Sequence, residues 1–124
     1  MKLFKKKTKI AAPADRHAAL AFVPVIPEGI RQSHETGGCV RLHYAAAPGR
    51  LAALVRGAAP VPRTLELDEL GTAVWMLIDG RRPVSGIAQA LAQRYKLHQS
   101  EAELSVSAFL RQLGRRGLIV LREP

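Results

Sequence analysis

An α+β fold, three antiparallel strands followed by three helices, is predicted by three observations on the 124-residue chain. Residues 28 to 44, "EGIRQSHETGGCVRLHY", read as two strands around a Thr-Gly-Gly turn, because Gly37 and Gly38 permit the positive φ that a tight hairpin needs. The run "TLEL", residues 64 to 67, alternates polar and apolar side chains and abuts a helix start. From Asp68 to Gly117 apolar residues recur at helical spacing instead. A period of two marks a half-buried strand and a period near 3.6 an amphipathic helix, so the change of period orders the elements.

Taken in chain order, residues 1 to 27 read as a basic, largely flexible tail, with a helical turn or two around Arg16 to Phe22 closed by Pro24 and Pro27. A single domain over residues 28 to 124 follows. In the second strand Val40, Leu42 and Tyr44 alternate with Cys39, Arg41 and His43, which puts one face on a core and leaves the other polar. Residues 45 to 62, "AAAPGRLAALVRGAAPVP", offer only Leu51, Leu54 and Val55 as a weak helical stripe and read as a connection. A third strand covers Arg63 to Leu67, and Asp68 is placed to cap the first helix. Leu70, Val74, Leu77 and Ile78 form that helix's apolar face, and Gly80 supplies its stop.

The second helix starts near Pro83 and buries Val84, Ile87, Leu91 and Tyr95. For the third, Ser100 and Glu103 match a capping box, Val106, Phe109, Leu110 and Leu113 form the stripe, and Arg115 and Arg116 sit where the helix dipole favours cations. Gly117 ends it, and "LIVL" at 118 to 121 is a final short apolar strand or extended tail.

A chain of this length buries roughly 65% of its unfolded surface in one core. With 48% apolar residues but only 5% aromatic, Leu, Val, Ile and Ala must fill it. The net charge of +9 is uneven: residues 1 to 62 hold ten Lys and Arg against three acids, and residues 63 to 124 nine against seven. Lys2, Lys5, Lys6, Lys7 and Lys9 repel one another and belong to a solvated tail, with contact to an anionic membrane surface as the alternative. The single Cys39 excludes an internal disulfide, and "IAAPADRHAALAFVPVIP" is broken by Asp15, Arg16, His17 and three prolines, so a cytoplasmic protein is expected.

Enzyme chemistry has little to stand on. The chain has neither G-x-x-x-x-G-K-[ST] nor G-x-S-x-G, and no catalytic residue is expected. His34, Cys39 and His43 invite a metal reading, but no fourth Cys or His lies near them, and no metal or other cofactor is expected. Glu66, Asp68 and Glu69 are better explained as a solvent-facing strand position, a cap and a dipole complement than as acid or base groups. Trp75 reads as closing one edge of the core, with a partner surface as the alternative.

The second and third helices, joined by "KLHQ", have helix-turn-helix order, and the strand after Gly117 would serve as a wing. Arg111, Arg115 and Arg116 would then meet phosphates and Gln112 a base edge. Glu101 and Glu103 oppose that reading, because they sit at the end of the helix that would approach DNA.

The segments "LELDELGTAVWMLIDG", "RRPVSGIAQALAQRYKL" and "SEAELSVSAFLRQLGRRGLI" resemble the PqqD family, the peptide chaperones of pyrroloquinoline quinone synthesis and their stand-alone relatives. The resemblance covers about the last sixty residues; the Lys-rich tail and the 45–62 insert depart from the compact family pattern. It implies a winged-helix-like domain that recognises the leader of a ribosomally made precursor peptide and presents it to a modifying enzyme, often a radical S-adenosylmethionine protein. No C-x-x-x-C-x-x-C motif is present, so such chemistry belongs to a partner. By the same resemblance the peptide adds as a strand between the third strand and the third helix. Thr64, Leu65, Glu66 and Leu67 are the candidates on one wall, and Leu104, Ala108, Arg111 and Arg115 on the other. For Leu104 the alternative is core packing, and for the arginines a solvated face.

Overall fold

The computed structural model describes residues 16–46, 54, 57 and 59–124. Its elements, in chain order, are α1 (Arg16–Ala21), β1 (Val23–Val25), β2 (Arg31–His34), β3 (Val40–Ala46), β4 (Val61–Glu66), α2 (Glu69–Met76), α3 (Val84–Tyr95), α4 (Gln99–Arg115) and β5 (Val120–Arg122). The fold is mixed α+β with antiparallel strands, as expected. It divides into two compact units, Glu28–Thr72 and the described part of Met1–Pro27 together with Ala73–Pro124.

The unit Glu28–Thr72 is a three-stranded sheet of order β2-β3-β4. Gly37 and Gly38, at φ 95° and 85°, turn the hairpin, and the Glu35 N–H closes it on the Cys39 carbonyl at 2.8 Å. In β3, Val40, Leu42 and Tyr44 are buried while Arg41 and His43 stay partly exposed, the alternation expected of a sheet with one covered face. Strand β4 starts at Val61, two residues earlier than the sequence pattern suggests, because Pro62 and Val61 continue the pairing opposite Ala45 and Ala46. Asp68 then caps α2 as expected, its Oδ1 accepting the Gly71 N–H at 2.8 Å.

The other unit is built on α3 and α4, which pack on each other and on α1. Its core holds Phe22, Val23, Val74, Trp75, Ile87, Leu91, Val106, Leu110, Leu113 and Leu118. Trp75 is 2% exposed, so it fills the core as read from the sequence. Helix α4 ends on a Schellman motif. Gly117 takes φ 78°, its N–H donates to the Gly114 carbonyl at 3.0 Å, and the Leu118 N–H donates to the Leu113 carbonyl at 2.9 Å.

Four expectations are corrected. The tail is shorter than residues 1 to 27: α1 matches the helical turns expected around Arg16 to Phe22, but β1 follows it and pairs antiparallel with β5, Pro24 opposite Leu121. Pro24 fits a two-stranded ribbon, where its missing N–H costs no central ladder bond. Helix α2 stops at Met76, ahead of Gly80, because the Leu77 and Ile78 N–H groups tighten to the Val74 and Trp75 carbonyls three residues back. Leu70, assigned to the core face, is 39% exposed. Helix α4 starts at Gln99, not after a Ser100 cap: Glu101 accepts the His98 N–H at 3.4 Å, and Glu103 takes the Gln99 side chain at 2.9 Å instead.

Candidate peptide-binding site

Strand β4 lies at the edge of its sheet, and among the described residues no strand pairs along its outer side. The phase of that edge follows from one bond. The Leu67 N–H donates to the Val40 carbonyl at 2.9 Å, and the register pairs Leu65 with Leu42 and Arg63 with Tyr44. Bonded and non-bonded pairs alternate in an antiparallel ladder, so Val61, Arg63, Leu65 and Leu67 turn their main chain toward β3. Pro62, Thr64 and Glu66 turn theirs outward. Pro62 has no N–H to offer, so the open edge presents two donors, on Thr64 and Glu66, and three carbonyls.

The side chains sort the same way. Opposite residues share a face, which places half-buried Leu65 with Leu42, and Thr64 and Glu66 with His43 and Arg41 on the polar face. Arg41 bonds the Glu66 carboxylate and stands 3.7 Å from Glu35. The hydrogen bond to Glu66, then the Glu35 charge, raise the Arg41 pKa above its usual value. Glu66 is thereby held by β3 rather than left as a free acid. Leu67 is buried just past the strand end, so it anchors the edge more than it offers a contact.

On α4, Ala102, Val106, Leu110 and Leu113 form the buried stripe. Leu104, Ala108, Arg111 and Arg115 fall at intervals of four, three and four residues on the exposed side, one continuous stripe that runs from apolar to basic. Leu104 is 54% exposed, which rules out core packing for it. An exposed Leu in line with two arginines is suited to an extended peptide carrying an apolar residue and acids.

Sequence reasoning passed over Ser33 and Arg41. The Ser33 hydroxyl lies 2.9 Å from His43 Nε2 and donates to Glu35 at 3.1 Å. The β2–β3 register, which no local pattern reveals, creates the contact with His43, whereas Glu35 lies two residues along the chain. The same register puts His34 opposite Val40, on the face away from His43. Among the described residues no three His, Cys, Asp or Glu side chains group as metal ligands.

Comparison with known proteins agrees with this architecture. The family model for coenzyme PQQ synthesis protein D (PqqD) matches residues 58–119. The solution structure of the PqqD truncation of Methylobacterium extorquens PqqCD, a functional and stand-alone recognition element for ribosomally synthesized and modified peptides, is 30% identical. It aligns with TM-score 0.55 over 78% of this chain and 87% of that one. TbiB1 in complex with the TbiA(beta) leader peptide shares the fold at 19% identity, TM-score 0.56, over 77% of this chain and 93% of that one. A comparison with curated proteins found no match. With half of its length under the family model and a 30% identical relative matched over most of its own chain, the protein belongs to the PqqD family.

Proposed function

We propose that the chain is a non-catalytic peptide-binding module. It binds the leader of a ribosomal precursor peptide as an added strand on β4 and presents that peptide to a modifying enzyme, of the radical S-adenosylmethionine class in the family's biosynthetic members. The observation that carries this reading is the open edge of β4, with the Thr64 and Glu66 main-chain groups outward. Main-chain pairing supplies affinity, and alternate side chains supply selectivity. Leu65 and the exposed stripe of Leu104, Ala108, Arg111 and Arg115 are the side-chain contacts in this account. The leader peptide held by TbiB1 and the stand-alone element of the Methylobacterium protein support it by analogy. The binding domain takes in α1 and β1 together with residues 28 to 124 and acts in the cytoplasm. Among the described residues no helix is long and apolar enough to cross a membrane, and the N-terminal lysines lie outside those residues.

The nucleic-acid alternative is less favoured, because Glu101 lies in the first turn of α4 and Glu103 two residues further on. Affinity capture of the tagged chain from its own lysate after nuclease treatment, at low and high salt, separates the two. A small peptide or a radical enzyme retained at high salt supports the module. Binding lost with salt, falling by about 0.9 log unit per log unit of salt for each phosphate contact, supports the nucleic-acid reading.

A further inference from the structure

A second charged surface lies in the unit that does not contain β4, where the α2–α3 loop meets the end of β5. Asp79 fixes the loop, its Oδ1 accepting the N–H groups of Arg81 at 2.9 Å and Arg82 at 2.8 Å. Those two bonds hold its carboxyl below the ordinary carboxylate range. Gly80 turns at φ 78°, and its carbonyl accepts Arg122 Nη2 at 2.5 Å, which draws a third arginine to the loop from the last strand. The stem of Arg82 lies across Gly86 in the first turn of α3: a Cβ built on Gly86 would come within 3.0 Å of Arg82 Cγ. A glycine inside a helix is less favourable than alanine, and here it leaves room for one particular side chain.

No acidic side chain forms an ion pair with Arg81, Arg82 or Arg122 among the described residues. Arg81 and Arg122 are exposed and Arg82 half-buried. Arg122 is thus drawn to the loop that carries Arg81 and Arg82, while the loop's own acid, Asp79, accepts two backbone N–H groups. Guanidinium forks match carboxylates two bonds at a time, and the patch is too short to track a nucleic-acid backbone.

We propose that Arg81, Arg82 and Arg122 form a docking surface for an acidic segment of a partner protein, distinct from the peptide-pairing edge. The test uses the isotope-labelled full chain titrated with a hexaglutamate peptide and followed residue by residue by NMR. Residues 79–82 and Arg122 shift, and the double change Arg81→Gln with Arg122→Gln weakens the saturation of those signals by about fourfold, from roughly twofold per exposed pair. Gly86→Ala keeps every charge, favours the helix, and weakens the same signals by displacing Arg82. Inorganic phosphate and a 15-base-pair duplex are the controls. Shifts confined to the N-terminal lysines or to Arg111 and Arg115, equal saturation by the double variant, or stronger shifts with the duplex each overturn the proposal.

Discussion

The Leu67 N–H donates to the Val40 carbonyl at 2.9 Å, and with the register of Leu65 on Leu42 this bond decides which way each main-chain group of β4 points. Proline scanning reads that phase. Thr64→Pro removes only an outward N–H, so the sheet survives, with stability changed by less than about 1 kcal/mol, while capture of the precursor peptide falls tenfold or more. Leu65→Pro removes an N–H aimed at β3 and unfolds the sheet, a loss of about 3 kcal/mol or more. Thermal melts and peptide titration distinguish the two. Equal damage from both substitutions contradicts the assigned phase.

Leu104 and Leu110 sit on opposite faces of α4, one 54% and the other 2% exposed. Leu110→Ala is expected to cost about 2–5 kcal/mol in denaturant melts, whereas Leu104→Ala stays within about 0.5 kcal/mol. Leu104→Ala and Arg111→Glu nonetheless weaken peptide binding. A Leu104→Ala protein as unstable as the Leu110 variant contradicts the face assignment.

The Schellman turn at Gly117 rests on φ 78°. Nothing lies within 4 Å of a Cβ there, so Gly117→Ala suffers only backbone strain and lowers stability by about 1 kcal/mol. Gly114→Ala, in the helix and also in open space, stabilises slightly. Opposite signs in paired thermal melts are the expected result.

Asp79 titrates below the ordinary carboxylate range, first because the Arg81 N–H and then the Arg82 N–H bond its charged form. A native pKa below the unfolded one means the carboxylate's contribution is complete above the unfolded value and is lost as pH falls through the native one. Wild type and Asp79→Asn therefore differ in stability at neutral pH and converge in strong acid. A constant difference across that range contradicts the assignment.

Local patterns revealed much of this fold. The Gly37-Gly38 hairpin, the Asp68 cap and the Gly117 stop are each set within a few residues. Leu104 and Ala108 lie two residues from the buried positions Ala102, Val106 and Leu110, roughly half a turn away, so their exposure was legible too. What the sequence hid depends on distant partners. Val23 pairs with Arg122 at the far end of the chain, and a three-residue strand containing Pro24 carries no periodic signal of its own. The ion pairs of Arg41 depend on strand register, and the outward direction of the Thr64 and Glu66 groups does as well, because alternation reports side-chain faces and not N–H directions.

The most direct test of peptide addition is amide hydrogen exchange by NMR, residue by residue along β4, on the free protein and on its complex with the captured peptide. In the free protein the Arg63, Leu65 and Leu67 amides are protected and those of Thr64 and Glu66 exchange quickly. On binding, protection appears at Thr64 and Glu66. Peptide saturation that leaves these two amides exchanging as before contradicts strand addition at this edge.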